Sequence, residues 1–376
     1  MSGIDIVRIN RIIELIERRG LDFVQNMLNT REESPETLAG IFASKEALGK
    51  HLGSGINKNI LENSIILKDD KGKPSIIFGK KKYELSISHD GDYAIAIVTG
   101  KGGIMVDKDL IKLLPGRPSN ANKATFGRLG IVAGQKGMIG CAKLSSRAAM
   151  RAGAGYVYLF SEEENKTSLE ICLDEEIIMG REDLLFFCTI DALAVGPGIG
   201  YSSEEYMEKL FSYIAERNIR TVLDADGLYY LKKFGNVGMN QLIITPHPME
   251  AARLLSKDVS YIMKNRLKSA EEISQKYSCD VIIKGEGSLV YNKNGEYYIN
   301  ESGNNGLATA GTGDVLTGII GAFLANGCDT YRAGKLGVYF HGLSADIMAQ
   351  KISKRAMIAS DIIEGLKYVF MEEDYA

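Results

Sequence analysis

The sequence predicts two packing units: a small α+β domain over residues 1–100, then an α/β domain with a mainly parallel sheet over residues 101–376. Three observations carry that expectation. Short β-rich runs cluster in the first hundred residues behind two helical stretches. Beyond them, apolar runs alternate with segments of helical composition, the pattern of an α/β sheet. Between the two, an apolar alternating stretch stops and glycine takes over at Thr99-Gly100-Lys101-Gly102-Gly103. At roughly 150 residues per domain, a chain of 376 also has length for two or three such units.

The first unit opens with an apolar run over residues 4–7, a strand that embeds the charge of Asp5, a costly placement unless a partner neutralises it. Ile9, Ile12, Ile13 and Ile16 continue at helical spacing. A second amphipathic helix is expected over about residues 37–52, with Glu46 on it. Strands follow over residues 64–67, 75–78, 83–88 and 93–98, with turns at Asp70-Lys71-Gly72 and Asp90-Gly91.

In the second unit, strands are expected over residues 129–132, 156–160, 192–195, 221–223, 242–244 and 281–283. Nearly every one runs straight into glycine, proline or acid: Gly134, Gly196-Pro197-Gly198, Asp224-Ala225-Asp226-Gly227, Thr245-Pro246-His247-Pro248 and Lys284-Gly285. In an open parallel sheet such turns share the carboxyl edge, where ligands bind. One site is therefore expected to collect them.

Composition narrows the classes of function. The net charge is -3, and residues 1–100 hold 14 basic and 14 acidic side chains against 31 and 34 in the remainder, so neither unit offers a basic face to nucleic acid. The most apolar stretch, residues 315–325, is too short to span a membrane, and no apolar leader follows Met1. Cys141, Cys172, Cys188, Cys279 and Cys328 are odd in number and form no C-x-x-C pair, which argues against a disulfide framework or zinc cluster and for a reducing cytoplasm.

The sharpest local signal is Asn304-Asn305-Gly306-Leu307-Ala308-Thr309-Ala310-Gly311-Thr312-Gly313-Asp314, followed by an apolar run. A helix starting near Gly313 would aim its free N–H groups and positive dipole end at an anion, with Asp314 beside it. Gly134 to Gly140 has Walker-like glycine spacing, but Cys141-Ala142 stands where Lys-Ser/Thr must follow. Gly196-Pro197-Gly198-Ile199-Gly200 departs from G-x-G-x-x-G, which disfavours a dinucleotide-binding dehydrogenase. His247, held between two prolines, suits ligand contact; Asp224 and Asp226 read equally as metal ligands, acids or a turn, and Lys284 as a phosphate ligand or a surface lysine.

In order, Gly196-Pro197-Gly198-Ile199-Gly200, Leu223-Asp224-Ala225-Asp226-Gly227-Leu228, Thr245-Pro246-His247-Pro248-Met249-Glu250, Lys284-Gly285 and Gly311-Thr312-Gly313-Asp314 resemble the ADP-dependent (S)-NAD(P)H-hydrate dehydratases, of ribokinase-like fold. The resemblance covers about residues 105–370 and implies metabolite repair: ADP phosphorylates the hydroxyl of the hydrated nicotinamide ring, and elimination of phosphate gives NAD(P)H and AMP. It implies that Cys141, Gly198, His247 and Asp314 contact the hydrated dinucleotide, with Asp314 as general base. Lys284, Gly285, Glu286, Gly287 and Ser288, together with Gly313, would hold the adenine nucleotide. Cys141 stands where the family usually has alanine. A ribokinase-like small-molecule kinase is the alternative that shares the glycine-rich loop and the aspartate.

The first unit resembles the holo-[acyl-carrier-protein] synthases, a family of phosphopantetheinyl transferases. Gly3-Ile4-Asp5-Ile6-Val7, Phe42-Ala43-Ser44-Lys45-Glu46-Ala47, Leu52-Gly53-Ser54-Gly55-Ile56, Gly72-Lys73-Pro74 and Ser86-Ile87-Ser88-His89 carry that likeness. It implies that Asp5 and Glu46 ligate Mg²⁺ on coenzyme A, so that a serine of acyl carrier protein takes up phosphopantetheine. His89 matches the family's strand-end histidine, a catalytic candidate, and Arg11 would meet the acidic carrier. The family's sites form between protomers of a trimer, which implies a homo-oligomer. The expectation is a bifunctional enzyme; the alternative is a dehydratase with a non-catalytic oligomerisation module.

Overall fold

The computed structural model describes residues 2–373 apart from Asp70, Lys80, Met105 and Cys188, so the expected turn at Asp70 and one of the five cysteines lie outside the described residues. The chain divides into two compact units, Met1–Val106 and Asp107–Ala376.

The first unit runs β1 (Gly3–Arg8), α1 (Ile9–Arg19), α2 (Leu21–Leu28), α3 (Pro35–Leu52), α4 (Lys58–Asn63), β2 (Ser64–Lys68), β3 (Pro74–Phe78), β4 (Lys81–Asp90) and β5 (Tyr93–Ile104). Its strands form an antiparallel sheet in the order β1-β5-β4-β3-β2. Local chemistry bounds α3: the Ser34 hydroxyl caps Thr37 N–H, Pro35 occupies the first turn, and Gly53 closes the helix with φ 72°. Leu38, Ala39, Ala43, Ala47 and Leu48 are buried against β1 and β5. β1 alternates buried and exposed, which puts Asp5 on the covered face under α3 and leaves Ile4 and Ile6 outside. The glycine stretch is strand as well: β5 runs on to Ile104 and pairs with Lys81 and Lys82 of β4, since ladder hydrogen bonds need no side chain.

The second unit runs α5 (Lys108–Ile111), β6 (Arg128–Val132), α6 (Ile139–Arg151), β7 (Tyr156–Ser161), α7 (Lys166–Cys172), β8 (Ile177–Gly180), β9 (Ala192–Val195), α8 (Glu204–Arg217), β10 (Arg220–Leu223), α9 (Asp226–Phe234), β11 (Leu242–Ile244), α10 (Pro248–Leu255), α11 (Val259–Lys264), α12 (Arg266–Tyr277), β12 (Asp280–Ile283), β13 (Leu289–Tyr291), β14 (Tyr297–Ile299), α13 (Thr312–Ala325), α14 (Thr330–Lys351) and α15 (Ala359–Glu373). The strand order is β14-β13-β12-β11-β10-β9-β6-β7-β8. Seven strands, β12 through β8 in that order, run parallel, and β13 and β14 pair antiparallel at one edge. The sheet is therefore mixed, a correction to the mainly parallel sheet expected. The difference lies in a hairpin too short to be read from periodicity; its turn, with Gly295 at φ 96°, returns the chain without a crossover helix.

One face of the sheet is covered by α13 and α14, with α6 and α15 beside them, and the other by α8, α9, α10 and α12. α13 decides where the site sits. Val315, Ile319, Ile320 and Phe323 are buried over the central strands, at roughly 1.5–3 kcal/mol each. A Cβ at Gly318 would lie 2.0 Å from the Ser145 carbonyl oxygen, so glycine there lets α13 pack backbone to backbone on α6. That contact holds the α13 N-terminus over the carboxyl edge.

Candidate functional site

Hydrogen bonds tie the carboxyl-edge turns into one belt. Gly134 N–H donates to the Pro197 carbonyl at 2.9 Å, Gln135 N–H to Gly198 at 2.6 Å, and Lys284 N–H to Pro246 at 2.9 Å. Gly200 N–H donates to the Asp226 carboxylate at 2.9 Å. Ala225, between the two aspartates, is held at φ 49° and ψ -123°, a strained conformation for a residue with a Cβ.

At the centre stands an ion pair. Lys284 Nζ lies 2.6 Å from Asp224 Oδ1 and 3.8 Å from Glu250 Oε2, and Asp224 Oδ2 accepts from the Thr317 hydroxyl at 2.8 Å. Lys284 is thus no surface lysine. Burial opposes its charge, but the carboxylates of Asp224 and Glu250 outweigh burial and hold the ammonium above its ordinary range. Gly313 completes the cradle: a Cβ there would sit 3.6 Å from Lys284 Nζ and 3.7 Å from Asp224 Oδ2. Asp224 is the ion-pair partner of Lys284, and Asp226 accepts from Gly200 N–H in the neighbouring turn.

Asp314 lies in the first turn of α13. Burial, then the neighbouring Asp224 charge, pushes its carboxyl up to about 6, against a hydrogen bond from Cys141 and the attraction of Lys284. Burial and the same carboxylate push the Cys141 thiol up to about 12, so it is a protonated donor and no nucleophile. Gly198, at φ 62°, faces it: a Cβ there would lie 3.2 Å from Cys141 Sγ. His247 caps α10, its Nδ1 accepting from Met249 and Glu250 N–H at 3.1 and 3.3 Å while its own N–H donates to Glu250 Oε2 at 2.7 Å. With Nδ1 as acceptor, the ring proton sits on Nε2, 3.3 Å from Glu250 Oε1. Burial, then Lys284, lowers its pKa and favours the neutral ring.

In the first unit, α3 brings Glu46 and β1 brings Asp5 to one lysine the sequence reading passed over. Lys50 Nζ lies 2.7 Å from Asp5 Oδ1 and 3.8 Å from Glu46 Oε1, and the buried Asp5 Oδ2 has no hydrogen-bond partner among the described residues. His89 is elsewhere: its Nε2 contacts the Glu36 carbonyl at 2.9 Å, and a Cβ at Gly40 would lie 2.9 Å from that nitrogen. From Gly40 to Glu46 is about 9 Å along the helix, and His89 is engaged at the Glu36 carbonyl, so within one copy it stands apart from the carboxylates. The Arg11 guanidinium stacks over Phe42, 5.2 Å from the ring centroid.

The NAD(P)H-hydrate dehydratase family model matches residues 129–367. The chain belongs to the NAD(P)H-hydrate dehydratase family. The ADP-dependent (S)-NAD(P)H-hydrate dehydratase of Neisseria meningitidis is 37% identical, over 66% of this chain and 85% of that protein. The Coxiella burnetii bifunctional NAD(P)H-hydrate repair enzyme Nnr is 31% identical over 69% of this chain, but this chain spans about half its length, 54%. The solved ADP/ATP-dependent NAD(P)H-hydrate dehydratase of Bacillus subtilis, co-crystallised with ATP/Mg2+, superposes with a TM-score of 0.66 at 26% identity, covering 71% of this chain and 96% of that one. The second unit is thus ribokinase-like. A second model, the 4'-phosphopantetheinyl transferase superfamily, matches residues 1–98.

For an NAD(P)H-hydrate dehydratase, the nucleotide candidates 284–288 show a support that sequence reading missed. Arg266, at the start of α12, donates to the carbonyls of Glu286 at 2.7 Å, Ile283 at 3.1 Å and Gly287 at 2.8 Å, and Gly285 N–H meets the Ser288 hydroxyl at 3.3 Å. One guanidinium thus holds the loop from three sides. No local motif announces it, because Arg266 lies well before the loop in sequence and meets it across α12 and β12. Thr317 had a faint signal, standing one helical turn after Asp314.

Proposed function

We propose that the second unit performs ADP-dependent dehydration of (S)-NAD(P)H hydrate. The observation that carries this reading is the α13 N-terminus: Asp314 in its first turn, Gly313 open beneath it, and the Lys284–Asp224 pair alongside. Asp314 takes the proton of the ring hydroxyl as that oxygen attacks the terminal phosphoryl group of ADP. Lys284 and the N–H groups of the α13 first turn meet the charge on the transferring group. AMP leaves, and elimination of phosphate from the ring restores NAD(P)H. Gly198, Cys141 and His247 contact the hydrated dinucleotide; Lys284, Gly285, Glu286, Gly287, Ser288 and Gly313 hold ADP. The neutral His247, with its proton on Nε2, is a donor for that ligand. The test is recovery of dihydronicotinamide absorbance from NADH hydrate with ADP, with AMP and phosphate formed in equal amount. Recovery independent of ADP would remove phosphoryl transfer from the mechanism, and phosphorylation without elimination would return the chain to the small-molecule kinases.

Arg266→Lys replaces a fork that reaches three carbonyls by a point charge. Its KM for ADP is expected to rise roughly 10-fold or more, with KM for the hydrate unchanged. Steady-state kinetics in each substrate checks this; equal shifts in both would argue against loop positioning.

For the first unit we propose transfer of phosphopantetheine from coenzyme A to a serine of acyl carrier protein. Asp5 and Glu46 fit a divalent cation: their carboxylates converge on one ammonium, and the buried Asp5 Oδ2 is an acceptor with no partner among the described residues. Bound there, Mg²⁺ would neutralise pyrophosphate charge and activate the phosphoryl group. Lys50 holds the two carboxylates together and adds positive charge, and Arg11 lies on the helix offered to the acidic carrier. His89 enters only through a second copy. Ile4, Ile6 and Ile97 are 58%, 58% and 38% exposed on the outer sheet face, which supports association of like chains. Intact mass spectrometry of apo carrier with coenzyme A and Mg²⁺ should show one phosphopantetheine added, lost with Glu46→Gln. No gain beside a working control synthase would leave this unit as an assembly module.

A further inference from the structure

The dehydratase reading leaves two exposed aromatic rings at the rim of the site without a task. Tyr201, directly after the Gly196–Gly200 turn, is 57% exposed; Tyr229, on the first turn of α9, is 42% exposed. Their ring centroids are 5.0 Å apart at 71°. Large apolar rings held in water beside a binding edge are a cost that a ligand can recover. They are also pre-positioned. The Asp226 carboxylate accepts from Gly200 N–H at 2.9 Å, which ties the loop bearing one ring to the helix bearing the other, and its charge acts on the Tyr201 hydroxyl. Met249, 51% exposed, lies on the first turn of α10, and the exposed Arg253 one turn further acts electrostatically on both Tyr201 and His247.

The direction of the substrate follows. On the proposed reading, which this inference rests on, the nicotinamide ring lies at Asp314 and ADP takes the Lys284–Ser288 side. The second nucleotide of the dinucleotide then leaves past Gly198, toward Tyr201. We propose that the adenine of the hydrated dinucleotide stacks on the Tyr201–Tyr229 pair, with Arg253 facing its phosphates, so that the adenosine half is recognised by a subsite separate from the chemistry. Base–aromatic stacking of this kind is worth about 5- to 100-fold in affinity.

The experiment compares hydrated NADH with hydrated reduced nicotinamide mononucleotide, which has the reacting ring and no adenosine half. Tyr201→Ala and Tyr229→Ala should each raise KM for the dinucleotide about 5- to 100-fold. KM for the mononucleotide and for ADP should stay unchanged, and Tyr201→Phe, which keeps the ring, should recover most of the loss. Equal changes on both substrates, or none on the dinucleotide, would overturn the subsite. Failure of the underlying reading looks different: the unaltered enzyme would turn over neither hydrate, and the inference would fall with it.

Discussion

Asp314→Asn is expected to slow ADP-dependent recovery of NADH by about 100- to 10,000-fold, the usual contribution of a positioned general base, without destabilising the fold. The amide keeps the shape of the side chain and can still meet the Cys141 thiol, but it cannot take the hydroxyl proton. The stability sign follows from the raised pKa. The carboxyl sits at about 6 against 3.8 for a free aspartate, so the native state holds the proton more tightly than the unfolded chain. That contribution is full below pH 3.8 and is lost as pH rises through 6. At neutral pH the ionised Asp314 is therefore a burden, on the order of 1–3 kcal/mol, that asparagine removes. Thermal melts at pH 7 should show the variant at least as stable as the parent. In the parent, the rate should fall as pH drops through about 6, where Asp314 takes up its proton. A variant that keeps its turnover would remove Asp314 from the role of base.

Lys284→Met is the second large effect, and it acts on fold and activity together. The lysine is the cation that compensates Asp224, a carboxylate 2% exposed whose other oxygen is taken by Thr317. Removing one partner of a buried pair leaves the other charged and unsolvated, at about 3–5 kcal/mol, or a fall in unfolding midpoint on the order of 10 °C for a unit of this size. Asp314 would also lose an attractive neighbour, so its acid limb should move to higher pH. The double variant Asp224→Asn with Lys284→Met separates the two losses. It removes the stranded charge and should recover most of the stability, while ADP turnover stays lost because no cation faces the phosphoryl group. Recovery of turnover in the double variant would show Lys284 to be structural.

Much of the scaffold was legible because local chemistry announces it. Ser34 and Pro35 start α3, Gly53 ends it, and the glycine loop before Asp314 delivers a helix within one residue of the expected start. The hairpin β13–β14 was not legible: its strands are three residues each, too short for a period to register, and they turn the expected parallel sheet into a mixed one. Asp5 shows where legibility stops. Its placement in an apolar strand demanded a partner, yet nothing local said that the partner would be Lys50 rather than an arginine.

The sequence by itself determined the order of the turns and the types of residue on them: Gly198, Asp224, His247, Lys284 and Asp314 each follow an apolar run or open a helix, which is a matter of neighbours in the chain. Tertiary structure decided their meaning. Strand order brings Lys284 to Asp224 across β11, α13 carries Thr317 to the same carboxylate, and α12 swings Arg266 onto the 284–288 loop. Whether a lysine is a solvated surface charge or a buried counter-ion depends on charge and burial supplied from far along the chain, and those are properties of the packed sheet.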